Sequence, residues 1–83
     1  MVKLLYFELG NTYHALADYS SADAAVEWLQ SNLRGNYVIF NDTSLPAHPQ
    51  NIIRNDQWVI IDDTGALVPM KYEGGKFNLT GAV

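Results

Sequence analysis

One stretch of this chain, Ser20 to Leu33, repeats its apolar residues at helical spacing, and that single feature limits the folds open to it. Ala22, Ala25, Val26, Leu29 and Leu33 fall on one stripe, with Trp28 beside it. Ser20 stands where an N-cap belongs, and Asp23 follows three residues later in the capping-box position. Gly35 is placed to end the helix in the left-handed conformation. The rest of the chain reads as short strands separated by glycine and proline.

Two of those strands open the sequence. Val2 to Leu9 and Thr12 to Tyr19 flank Gly10-Asn11, a hairpin signal. A two-residue turn would set Phe7 opposite His14, Leu5 opposite Leu16 and Lys3 opposite Asp18, the last pair of opposite charge. One face would then carry Val2, Leu4, Tyr6, Tyr13, Ala15, Ala17 and Tyr19. The other would carry Leu5, Phe7, Leu9 and Leu16. After the helix, Tyr37 to Phe40 reads as a core strand.

Residues 41–56 have no clear periodicity. Pro46 and Pro49 exclude a regular element there, apart from a single helical turn near Gln50 to Arg54. Gln57 to Asp62 is strand-like, and Asp63-Thr64-Gly65 is a turn with Gly65 at its positive-φ position. Ala66 to Tyr72 contains Pro69, so that strand lies at an edge or is bulged. Glu73-Gly74-Gly75 turns the chain into Lys76 to Leu79, and residues 80–83 read as a frayed tail. The expected fold is α+β, a single domain over residues 1–83. It has an antiparallel sheet of about five to six short strands with one helix packed on it, in the order ββαβ-loop-βββ.

Charge narrows the range of partners. Five Lys and Arg face nine Asp and Glu across 83 residues, a net charge of −4. The cations Lys3, Arg34, Arg54, Lys71 and Lys76 are scattered along the sequence, and no basic run exists to displace counterions from nucleic acid or to meet an anionic membrane. No apolar run has the length of a membrane span. The N-terminal segment reads as a first strand and not as a signal peptide, which sets the expected location as the cytoplasm, a host's cytoplasm if the source is viral. With no cysteine, disulfides, thiolate catalysis and cysteine-ligated metals are excluded within these residues.

The candidate chemistry is sparse. His14 and His48 share no ligand spacing, so a plain polar histidine is the better reading of each, and no metal or cofactor is expected. Asp62 and Asp63 are adjacent at a strand end, where side chains point to opposite faces, and Asp before Thr-Gly is ordinary turn chemistry. Gly74-Gly75 lacks the strand-to-helix setting of a phosphate loop, and the serines lack a nucleophile elbow. Trp58, Tyr13, Tyr19, Tyr37 and Tyr72 are residue types enriched in interface hot spots, though aromatics also favour strands and fill small cores. Leu45, Ile52 and Ile53 put apolar groups in an irregular, proline-bracketed segment, where they either tuck under it or form an outward anchor.

These features lead to the expectation of a non-catalytic module that binds another protein. The expected contact set is Leu45, His48, Ile52, Ile53 and Trp58. In format alone the chain resembles small acidic accessory proteins of phages and mobile elements, including inhibitors such as anti-CRISPR proteins. That resemblance implies inhibition of a host or defence protein by surface occlusion, and no motif carries it. A self-assembling homo-oligomer or structural subunit is the alternative, motivated by a first strand apolar on both faces. A small-ligand or metal-binding protein is a remoter one.

Overall fold

The computed structural model describes residues 1–8, 12–40 and 52–80. The first two strands are β1 (Val2–Glu8) and β2 (Thr12–Tyr19), and α1 (Ala22–Asn32) follows them. Next come β3 (Leu33–Arg34), β4 (Tyr37–Ile39) and β5 (Ile52–Arg54), then a 3-10 turn over Asn55–Gln57. The chain continues through β6 (Trp58–Ile61), β7 (Leu67–Val68), β8 (Met70–Glu73) and β9 (Lys76–Leu79). The strands form three antiparallel sheets, ordered β2-β1-β6-β7, β3-β4-β5 and β8-β9. The α+β expectation holds, with the strands divided among small sheets rather than gathered into one.

The first hairpin departs from the expected register midway. Lys3 does oppose Asp18, and Leu4 opposes Ala17. Beyond Leu4 the pairing slips, so that Leu5 meets Ala15, Tyr6 meets His14 and Phe7 meets Tyr13. The extra residue, Leu16, makes a bulge, which shifts the phase of side-chain alternation. Leu16 is therefore buried alongside Leu4 and Tyr6, while Tyr13 and Ala15 face solvent. The pairing of Glu8 with Thr12 leaves three residues between them, not two. Leu9 and the expected turn at Gly10-Asn11 lie outside the described residues, as do residues 81–83 of the expected frayed tail.

The helix begins one residue later than expected. Ser21, not Ser20, is the cap: its backbone is extended and its hydroxyl accepts from the Ala24 N–H at 3.2 Å. At the other end Leu33 leaves the helix directly into β3. Gly35, at φ +64°, serves the β3–β4 turn instead of a helix cap. Ala25 and Leu29 are fully buried, with Val26, Trp28 and Leu33 packed beside them. Gln30 ties the helix to the last hairpin, for its side-chain amide donates to the Gly75 carbonyl at 3.2 Å and its Oε1 accepts from the Phe77 N–H at 3.1 Å.

Pro69 divides the expected strand over residues 66–72 into β7 and β8, because it has no N–H to give a ladder. The core gathers where α1 meets the sheets, from Leu4, Tyr6, Leu16, Ala25, Leu29, Val38, Phe40, Ile53, Trp58, Ile60 and Phe77. Its centre is aromatic. Trp58 meets Tyr6, Trp28 and Phe40 at ring-centroid distances of 5.6, 5.9 and 6.0 Å, the edge-on arrangements that ring quadrupoles favour.

Candidate functional site

The described residues among those expected to meet a partner do not form one surface. Leu45 and His48 lie outside the described residues. Ile53 is 1% exposed and Trp58 5%, so both belong to the core, whereas Ile52 is 53% exposed. The cause is a strand at Ile52–Arg54, where the sequence allowed only a helical turn near Gln50 to Arg54. Ile52 to Arg54 pairs with β4 in the register Ile39–Ile52, Val38–Ile53 and Tyr37–Arg54. Alternate side chains then point to opposite faces, Val38 and Ile53 inward, Ile39 and Ile52 outward. The Trp58 indole N–H is buried with no acceptor among the described residues.

The same register assembles a surface that residue spacing conceals. Arg34 opposes Tyr37 across β3–β4, and Tyr37 opposes Arg54 across β4–β5. The three side chains stand in one row across the sheet, all exposed, with the Ile39–Ile52 pair as the next row. Directly opposed side chains on one face have Cβ atoms about 4.5–5.5 Å apart. Two of the five cations of an acidic chain thus flank one tyrosine ring. Arg34 is steadied at the end of α1, where its Nη1 donates to the carbonyls of Ser31 and Leu33 at 3.1 and 2.8 Å. The Nε of Arg54 lies 3.5 Å from Asp56 Oδ1. The Arg54 backbone N–H donates to Gln57 Oε1 at 3.1 Å, and Gln57 Nε2 donates in turn to the Phe7 carbonyl at 2.7 Å, which anchors this corner to β1.

A second feature is a shallow cavity of about 340 Å³ lined by Lys3, Asp18, Ile61, Asp62, Asp63 and Gly65 with the first two residues. One of its acids is engaged in the turn after β6. Asp62 accepts from the Thr64 hydroxyl and from the backbone N–H groups of Thr64 and Ala66, the latter two at 2.9 and 3.0 Å. The Thr64 hydroxyl, seconded by these backbone donors, holds the Asp62 carboxyl below its ordinary range. Gly65, at φ +86°, completes the turn that was expected there. His14 is stacked on Tyr6 at a centroid distance of 5.0 Å. Among the described residues no group of three His, Asp or Glu side chains is placed to hold a metal ion. No helix among them is long and apolar enough to cross a membrane.

Comparison with known proteins adds a different kind of information. No family model matches the chain, and no solved structure does. A curated protein from Klebsiella pneumoniae subsp. pneumoniae, phosphoadenosine 5′-phosphosulfate reductase, is 41% identical over 56 residues. The match covers 63% of this chain and 23% of the reductase, so the chain spans about a quarter of that relative's length.

This likeness corrects the functional expectation. The reading as a non-catalytic inhibitory binding module rests on the lack of a recognisable catalytic motif, the long loop and the aromatic strands, and the match ties most of the chain to a stretch of an enzyme. A quarter-length stretch need not contain the motifs by which an enzyme is recognised, so their lack does not separate the chain from an enzyme. Arg34 and Arg54 carry no signal of proximity in the sequence. They lie twenty residues apart, and only the placement of Ile52–Arg54 as a strand beside β4 would have put them in one row.

Proposed function

We propose that this chain works in the reduction of a sulfonucleotide, as a portion that holds the anionic substrate and not as the source of electrons. The observation that carries the reading is the 41% identity over 56 residues to phosphoadenosine 5′-phosphosulfate reductase. Chemistry supports the division of labour. Reducing a phosphosulfate to sulfite takes two electrons, and none of these 83 residues is a cysteine whose thiol could supply them. The reading therefore gives the chain a protein partner that carries a dithiol, in a cytosolic setting. It involves neither nucleic acid nor a membrane, in keeping with the net charge of −4.

Calorimetric titration of the purified chain with phosphoadenosine 5′-phosphosulfate tests this directly. Saturable binding with a Kd on the order of micromolar is expected, a usual range for enzyme substrates. Heats indistinguishable from dilution up to millimolar ligand would overturn the reading. In parallel, the chain incubated with substrate and no added dithiol should release no sulfite, and sulfite release there would overturn the assignment of electron transfer to a partner.

A further inference from the structure

We infer that the row Arg34–Tyr37–Arg54 is a binding site for a purine nucleotide carrying at least two anionic groups. For the identity of its preferred ligand the inference rests on the sulfonucleotide reading, and for its place it rests on geometry alone. The chain has few cations, and a random scatter over its surface would keep them apart. Strand register instead sets two arginines on either side of one ring, in adjacent positions of a single exposed row. A guanidinium presents a planar fork of N–H donors that fits phosphate and sulfate oxygens two at a time. A tyrosine ring offers a face on which a base stacks whatever its sequence or substituents. The row combines both, and Ile39 and Ile52 beside it supply apolar contact for the edge of a base or ribose.

Among the described residues, the local competitors do not fill the site. Arg34 spends Nη1 on the Ser31 and Leu33 carbonyls, and an arginine has five N–H donors. Those bonds hold Nη1 at the C-terminal end of α1 and leave Nε and Nη2 as donors for an anion. Asp56 is the carboxylate beside Arg54, and its contact at 3.5 Å is between exposed groups, the kind of pair that solvent weakens. A phosphate can replace it with two shorter bonds. A site of this kind is open on one side, so it recognises charge and ring without enclosing the ligand.

The test is titration calorimetry of the native chain and of Arg34→Gln, Arg54→Gln and Tyr37→Leu variants with phosphoadenosine 5′-phosphosulfate, ATP and inorganic phosphate. Lys71→Gln and Lys76→Gln serve as charge controls on the β8–β9 hairpin, and a thermal melt of each variant confirms folding. Each row substitution should weaken sulfonucleotide binding by about tenfold or more, the loss expected for one charge-assisted contact at either arginine or for one stacked base at Tyr37. The lysine controls should bind as the native chain does, and inorganic phosphate should compete weakly. Sulfonucleotide binding that survives all three row substitutions would overturn the site and leave the proposed function standing. ATP binding lost in the row variants, with no sulfonucleotide binding, would support the site and overturn the function. No binding of either nucleotide to the native chain would overturn both.

Discussion

The two faces of the β4–β5 pair are made of neighbouring residues and do opposite things. On the inner face Val38 and Ile53 are 0% and 1% exposed and pack into a core centred on Trp58. On the outer face Ile39 and Ile52 are 41% and 53% exposed, next to Tyr37 and its two arginines. Residue type does not separate the faces, since isoleucine occurs on both. Strand phase does. Stability therefore sits on one side of a three-residue ribbon and the proposed recognition on the other, a single residue step apart.

The sharpest way to break that contrast is to make the same substitution on each side. Ile53→Ala should cost about 2–5 kcal/mol, because it removes buried methyl groups and leaves a cavity against Val38 and the aromatic centre. Ile52→Ala should stay within about 0.5 kcal/mol, as exposed substitutions do. Urea denaturation of both variants decides it, and equal losses would mean that β5 is not held in the described phase. The nucleotide titration should show the reverse order, with Ile52→Ala the more damaging for binding.

Helix α1 closes the inner face, so its cap gives a second, smaller contrast. Ser21→Ala should cost about 1 kcal/mol by freeing the Ala24 N–H, and Ser20→Ala much less. Neither should change nucleotide affinity, because α1 covers the face opposite the row. Thermal melts with parallel titrations check both halves. A larger loss from Ser20→Ala would show that the helix starts one residue earlier.

How much of this was visible in the sequence depends on how local its cause is. The helical stripe was legible because Ala25, Val26, Leu29 and Leu33 carry their own periodicity. The Asp62–Gly65 turn was legible because a carboxylate, a hydroxyl and a glycine within four consecutive residues define it on their own. The cap was misplaced by one because two serines adjoin and either hydroxyl can serve. The bulge at Leu16 was hidden because both registers bury apolar residues, and the choice is made by what packs above the sheet. Strand β5 was hidden for a stronger reason. Ile52, Ile53 and Arg54 are too few to show alternation, and their strand character comes from pairing with residues more than a dozen positions away. The Arg34–Tyr37–Arg54 row depends on that pairing and so was hidden with it.

Asp62 offers the smallest effect, and one set by pH instead of packing. Its carboxyl titrates below its ordinary value of 3.8 in the folded chain, chiefly through the Thr64 hydroxyl and then through the backbone donors of the turn. A depressed folded pKa means that the ionised form is favoured by folding. The contribution is therefore complete above the ordinary value and is lost as pH falls through the folded one. The urea midpoint of the native chain should exceed that of Asp62→Asn above the ordinary carboxyl value of 3.8, and the gap should close as pH is lowered below it. A gap that is constant with pH would mean that the Thr64 bond serves the neutral acid as well as the carboxylate. Thr64→Ala should raise the Asp62 titration midpoint toward 3.8, read by carboxyl-carbon NMR. Since this turn joins β6 to β7 and has no part in the β3–β5 sheet, none of these changes should alter nucleotide affinity at neutral pH. A change there would couple the turn to the row and dissolve the separation between the two faces.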